Sequence, residues 1–156
     1  MDNVKKYCFL MAAICALMLL SAPAFSGDFV PLRGKALQSH FNGNTVLGEY
    51  RRETPRSDGY DYTETHNFNG TVKYQEGDFK VTGIWYMRNG VEICFVYAEP
   101  SGPTSPQCGV YVEKDGCTYG YDLFDVDKNG VPHDFDDWEA RHIIKGSGKS
   151  CAEGVS

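Results

Sequence analysis

Eight short β-rich segments separated by turn residues constrain the fold of this chain more than any other feature. They are predicted as strands at residues 45–52, 60–68, 71–75, 79–87, 91–98, 108–113, 117–124 and 138–145. The connections contain dipeptides such as Asn69-Gly70 and Asn89-Gly90, which tolerate the positive φ angles of tight hairpins. We therefore expect consecutive strands to be antiparallel neighbours. Closing such a meander into a barrel removes both of its open edges.

The predicted fold class is all-β, a small antiparallel up-and-down barrel of about eight strands with one short N-terminal helix. The helix is predicted over residues 33–41, because four apolar side chains fall on one face and Asn42-Gly43-Asn44 follows as a stop signal. These apolar residues are Leu32, Ala36, Leu37 and Phe41. We expect the helix to plug or flank one end of the barrel.

The N-terminus is typical of a secretory signal peptide. Lys5 and Lys6 precede an apolar run of about 14 residues, which is shorter than the roughly 20 residues of a membrane-spanning helix, and small residues follow. Cleavage is predicted after Ala24 or Ser26, so that residues 1–26 are the signal and residues 27–156 form a single domain. The predicted location is the periplasm or the extracellular space, with no membrane span.

The four cysteines after the signal are an even number in an exported chain, so two disulfides are expected. Four cysteines allow three connectivities, and the neighbouring strands favour Cys94 with Cys108 and Cys117 with Cys151. A zinc site is the alternative, but neither pair has the spacing of two to four residues that such sites use.

The charge balance bears on the class of partner. The chain has 15 Lys and Arg against 21 Asp and Glu, a net charge of −6. An acidic surface repels phosphate backbones, so nucleic acid is not an expected partner. No motif in the sequence predicts a cofactor.

The acidic stretch 125–136 resembles a calcium loop. Asp125, Asp127 and Asn129 occupy ligand positions 1, 3 and 5 of that pattern, and Asp136 stands where a bidentate Glu is usual. The departures are this shorter final carboxylate, Pro132 inside the loop and a strand in place of a preceding helix. An acidic hairpin loop without a metal accounts for the same residues. A calcium site is therefore the minority interpretation of this stretch.

Catalysis is not predicted. The four histidines, His40, His66, His133 and His142, lie in different elements. No nucleophile motif of the Gly-x-Ser-x-Gly kind accompanies them.

Aromatic side chains occur on nearly every predicted strand. An eight-stranded barrel is either just filled by such side chains or holds one small ligand. The candidate ligand-facing residues are Trp85, Tyr97, Tyr119 and Tyr121.

Several short motifs occur in a characteristic order over residues 32–121. They are Gly43-Asn44-Thr45-Val46-x-Gly48, Phe68-Asn69-Gly70-Thr71-Val72, Gly83-x-Trp85, Ile93-Cys94-Phe95-x-Tyr97, and a cysteine ahead of Val110-x-Val112. In this layout the chain resembles small exported alphaproteobacterial domain-of-unknown-function families with a lipocalin-like β-barrel. The resemblance implies a fold and a compartment, and it matches Cys94 and Cys108 to the family's cysteine pair. It implies no catalytic residues.

The function expected from the sequence is that of an exported, non-enzymatic barrel that binds a small apolar ligand or a protein partner. The alternative is a structural or inhibitory surface protein with a filled barrel that acts through its loops. A cavity inside the barrel would favour the first, and a solid core would favour the second.

Overall fold

The computed structural model describes residues 29–51 and 61–151. The strands are β1 (Val30–Pro31), β2 (Thr45–Tyr50), β3 (Tyr62–His66), β4 (Thr71–Glu76), β5 (Phe79–Arg88), β6 (Glu92–Glu99), β7 (Gly102–Pro103), β8 (Gln107–Lys114), β9 (Cys117–Tyr121) and β10 (Ala140–Ile144). One α-helix, α1 (Gly34–Phe41), lies between β1 and β2. Two 3-10 turns, Leu123–Asp125 and Phe135–Asp137, lie between β9 and β10.

Eight of the strands close into an antiparallel barrel in the order β2-β3-β4-β5-β6-β8-β9-β10. Pairing of β6 with β8 and of β10 with β2 completes the ring of backbone hydrogen bonds. The all-β barrel with one short helix is thus confirmed.

Two short strands lie outside the predicted set. In β1, Val30 pairs with Glu113 of β8, and in β7, Pro103 pairs with Ala98 of β6. Gly102 and Pro103 pair with β6 although the segment 100–106 contains three prolines. Proline is tolerated there because β7 is a two-residue edge strand.

The hairpin turns have the backbone geometry that their residues suggest. Asn89 and Gly90 have φ angles of 54° and 72°, and Asp115 and Gly116 have φ angles of 52° and 85°. Two successive positive φ angles follow the right-handed twist of the flanking strands, so these dipeptides fix the register of β5 with β6 and of β8 with β9.

The helix α1 plugs one end of the barrel. Leu37 and Phe41 are fully buried, and the Phe41 ring centroid lies 4.9 Å from that of His66 and 4.8 Å from that of Tyr111. The rest of this core comes from Leu32, Val72, Trp85, Ile93 and Phe95. The barrel is therefore filled at the helix end.

A second apolar core lies on the outer face of β8, β9 and β10. It consists of Val112, Cys117, Tyr119, Tyr121, Ile143 and Cys151, with Phe135 and Trp138 of the connecting loop packed against it. The loop between β9 and β10 covers this face, so β9 is buried on both sides.

Both disulfides are those favoured by the strand geometry. Cys94 and Cys108 face each other across β6 and β8, with their Cα atoms 4.0 Å apart. Cys117 of β9 is bonded to Cys151, 34 residues later. Two disulfides indicate a non-reducing environment.

The predicted signal peptide, residues 1–26, lies outside the described residues. Within the part of the chain that the structure describes, no helix combines the length and the apolar character needed to cross a membrane.

Candidate ligand-binding site

A cavity of about 160 Å³ opens at the end of the barrel opposite α1. It is formed by the last residues of β2, β4, β6 and β9 and by the first residues of β3, β8 and β10. The lining residues are Tyr50, Tyr62, Glu64, Tyr74, Phe95, Tyr97, Gln107, Cys108, Gly109, Tyr111, Gly120, Tyr121, Asp122, Glu139 and Ala140. Six of the ten tyrosines of the chain are among them.

The aromatic rings form a continuous wall. Tyr62 lies between Tyr50 and Tyr74, at centroid distances of 5.0 and 5.6 Å. The Tyr74 ring is 5.8 Å from that of Tyr97, which is stacked on Phe95 at 6.1 Å. All five rings line the cavity, so each lies on the interior face of its strand.

Small residues on neighbouring strands make room for this wall. A side chain at Gly48 would collide with the ring of Tyr62, and a Cβ atom at Gly120 would lie 3.0 Å from Cε1 of Tyr111. Large rings thus lie beside glycines, as expected for a small barrel whose interior side chains must fit a narrow space. The rings of Tyr62 and Tyr111 are positioned by their neighbours as well as by their own strands.

Glu64 is the buried carboxylate of the cavity, and its side chain is 7% exposed. Its Oε1 accepts a hydrogen bond from the hydroxyl of Tyr97, and its Oε2 lies 3.1 Å from Nε2 of His66. A buried carboxylate needs such partners, because the loss of water otherwise disfavours its charge.

The surroundings of His66 indicate which atom donates the hydrogen bond between His66 and Glu64. Its Nδ1 is buried and has no hydrogen-bond partner among the described residues. A hydrogen at Nδ1 would be an unsatisfied buried donor, so the favoured form is the neutral tautomer with its hydrogen on Nε2. This tautomer donates a hydrogen bond to Oε2 of Glu64, so that the carboxylate accepts one hydrogen bond at each oxygen.

The lining as a whole is acidic. It contains Glu64, Asp122 and Glu139, and none of the described residues that line the cavity is lysine or arginine. A second acidic contact lies on β4, where the hydroxyl of Tyr74 donates to Oε2 of Glu76 at 3.0 Å. The hydroxyls of Tyr50 and Tyr74 are themselves 2.8 Å apart.

The tyrosines of the cavity are neutral phenols. Burial raises the pKa of Tyr62, Tyr97 and Tyr111, and the nearby charge of Glu64 raises each of them further. Their rings therefore keep electron-rich faces, and their hydroxyls can donate hydrogen bonds at every physiological pH.

The four residues that the sequence suggested as ligand-facing lie in different parts of the barrel. Tyr97 lines the cavity. Trp85 points inward but lies in the filled half, where its Nε1 donates to the Asn67 carbonyl oxygen at 3.1 Å. Tyr119 lies on the outer face against Phe135, with a centroid distance of 4.7 Å.

Tyr121 reaches the edge of the cavity but also belongs to the outer core. Its hydroxyl donates to the carbonyl oxygen of Phe135 at 2.9 Å. It therefore supports the loop more than it forms the cavity wall.

The structure does not bring together the residues of the suggested calcium loop. Within residues 29–51 and 61–151, Asp125, Asp127 and Asp136 do not form a group whose carboxylate oxygens lie within 4.8 Å of one another. Oδ1 of Asp127 accepts hydrogen bonds from the backbone nitrogens of Asn129 and Val131, at 2.8 and 2.9 Å. These hydrogen bonds stabilise a turn within the loop, which is the kind of contact that an acidic hairpin loop makes.

The pair formed by His40 and His142 does not line the cavity. The Nε2 atoms of His40 and His142 are 2.9 Å apart at the plugged end, beside the ring of Phe41. The described group of three metal-ligand atoms, Glu92 with Cys94 and Cys108, includes a disulfide, so its thiolates are not available to a metal.

Sequence reasoning missed Tyr62, Glu64, Tyr74 and Tyr111 as cavity residues. The available signal was the period-two order of Tyr62, Glu64 and His66, with threonines between them. This order places a carboxylate between two rings on one face of a strand.

Comparisons of the chain with family models, with curated proteins and with solved structures found no match.

Proposed function

We propose that the protein is an exported, non-enzymatic β-barrel, of the periplasm or the extracellular space, that binds one small organic ligand in the cavity at its open end. The observation that carries this proposal is the uneven filling of the barrel. The helix end is packed by Phe41 and its neighbours, whereas the opposite end leaves about 160 Å³ between tyrosine rings.

The size of the cavity sets the size of the ligand. An apolar protein cavity of about 150 Å³ is known to accommodate benzene. The cavity here therefore suits a group of about six non-hydrogen atoms, and a longer ligand would extend through the open mouth into solvent. Aromatic walls with a few polar groups are typical of small-molecule sites.

The disulfides and the predicted signal peptide both support the proposed compartment. Cys94–Cys108 and Cys117–Cys151 both persist in oxidising compartments. The resemblance to small exported proteins with a lipocalin-like barrel supports the same location.

The proposal is tested by saturation-transfer NMR with three probes that match the cavity in size: toluene, phenol and tetramethylammonium. We expect at least one probe to bind the wild-type protein. Ala140 lines the cavity, so Ala140→Phe should fill it and abolish that binding. The matched control is Ala98→Phe, at an exposed position of β6, which should bind like the wild type.

Failure of all three probes to bind the folded protein would overturn the proposal. Binding that survives Ala140→Phe would also overturn it, because the probe would then occupy another surface. Thermal unfolding of each variant confirms that the barrel is intact before binding is measured.

A further inference from the structure

We infer that the ligand of this cavity is a small organic cation, an alkylammonium or quaternary ammonium group, held between the tyrosine rings and the carboxylate of Glu64. The inference rests on the proposed function and narrows it to one class of ligand. It also replaces the apolar ligand expected from the sequence with one that carries a positive charge.

Charge complementarity is the first argument. The cavity contains three acidic residues and, among its described lining residues, no lysine or arginine to neutralise them. A bound anion would be repelled by these carboxylates, and a cation would be attracted to them. A cation is the ligand whose charge these groups complement.

The burial of Glu64 makes its charge effective. Its side chain is 7% exposed, so little water screens it from a ligand in the cavity. The tautomer of His66 donates a hydrogen bond without adding a positive charge. The carboxylate accepts one hydrogen bond at each oxygen, from Tyr97 and His66, which leaves further lone pairs on both atoms.

The aromatic wall is the second argument, and it is independent of the first. Tyrosine rings attract a cation through the negative charge of their faces, and sites for quaternary ammonium groups are built as cages of such rings. In this cavity Tyr50, Tyr62, Tyr74 and Tyr97 follow one another at centroid distances of 5.0, 5.6 and 5.8 Å.

The titration of the tyrosines reflects the same negative field. Burial is the main cause of the raised pKa of Tyr50, Tyr62, Tyr97 and Tyr111, and the charge of Glu64 raises each of them further. A negative charge that disfavours a phenolate favours a cation at the same place.

The size of the cavity fits this class of ligand. A trimethylammonium group with one extra carbon has five non-hydrogen atoms, within the roughly six that a cavity of benzene size accommodates. A hydroxyl or longer chain on that carbon would point to the open mouth.

The decisive experiment compares choline with its neutral carbon isostere, 3,3-dimethylbutan-1-ol, by NMR titration of the wild-type protein. The two probes have the same shape and differ in charge. We expect choline to bind at least tenfold more tightly. This comparison needs no variant, so it does not depend on how any substitution folds.

Glu64→Gln then removes the charge and keeps the shape of the side chain. We expect it to weaken choline binding at least tenfold and to leave the binding of the isostere within twofold. The control is Glu99→Gln, which removes one exposed carboxylate from the same sheet and should leave choline binding unchanged.

Three outcomes would overturn the inference. If the isostere binds as tightly as choline, the cavity binds ligands but does not select a cation, and the proposed function stands. If neither choline nor its isostere binds while toluene or phenol does, the cavity again binds ligands without selecting a cation, and the proposed function stands. If no probe of any kind binds, the proposed function fails together with the inference.

Discussion

The hydroxyl of Tyr97 donates a hydrogen bond to Oε1 of Glu64, across 33 residues of sequence. The bond links β6 to β3 through the interior of the barrel. It holds the one buried carboxylate of the described cavity in place and provides part of the polar environment that its charge requires. This relationship connects the stability of the barrel to the chemistry of its open end.

Tyr97→Phe should destabilise the protein. The substitution keeps the aromatic ring and removes a donor from a buried carboxylate, and such losses cost about 2 kcal/mol. Chemical denaturation should show this loss. Tyr86→Phe is the control, because Tyr86 is exposed on the outer face of β5, and it should change the free energy of unfolding by less than about 0.5 kcal/mol. Equal effects of the two substitutions would contradict the role assigned to Tyr97.

Trp85→Ala should cost about 3 to 5 kcal/mol, because it opens a large cavity in the filled half of the barrel. The Trp85 side chain is buried and its Nε1 hydrogen bond to Asn67 is lost as well. Denaturant midpoints measure the effect. The neighbouring Ile84 points outward and is 52% exposed, so Ile84→Ala should have a small effect. A mild Trp85→Ala variant would show that this end of the barrel is not packed.

The histidine pair at the plugged end should make stability depend on pH. Burial lowers the pKa of His40 from 6.5 to about 4 and lowers that of His142 well below 6.5. The unfolded chain therefore binds more protons than the folded protein below pH 6.5, and stability must fall as the pH falls. We expect a loss of about 3 kcal/mol between pH 6.5 and pH 5, roughly half of it from each histidine.

Denaturation at several pH values measures this slope. The double variant His40→Gln and His142→Gln should flatten it, even if its stability is lower at every pH. His133→Gln is the control, because His133 is exposed in the loop after β9 and should leave the slope unchanged. A slope that is unaltered in the double variant would show that other groups cause the acid sensitivity.

The barrel itself could be predicted from local signals. Short alternating segments, turn dipeptides with positive φ angles and neighbouring cysteines each act over a few residues, and together they define antiparallel hairpins. The pairing of Cys94 with Cys108 followed from the same strand order. The short helix was predictable because Leu37 and Phe41 share one face.

The position of each tyrosine was harder to predict. Alternation divides the residues of a strand into two faces, but it does not say which face is interior when both are buried. In β9 the outer face is covered by the loop that follows, so Tyr119 and Tyr121 pack there while Gly120 faces the ring of Tyr111. The burial of these two tyrosines on the outer face therefore depends on contacts with Phe135, more than ten residues later in the chain.

The sequence also did not allow us to predict that only one end of the barrel is filled. It depends on which end receives Phe41 and on the sum of side-chain volumes at each level of the barrel. Gly83 illustrates this, because a glycine two residues before Trp85 on the same face of the strand could make room for that ring or for a ligand. A Cβ atom there would instead collide with the carbonyl oxygen of Val96, so the glycine permits close approach of β5 and β6.

The most direct test of the cation cavity is an NMR measurement of intermolecular nuclear Overhauser effects between tetramethylammonium and the protein. The account predicts contacts from the methyl protons to the ring protons of Tyr62, Tyr74 and Tyr97. Contacts confined to exposed rings such as Phe124, which is 90% exposed, would contradict it, as would the absence of any contact at millimolar probe.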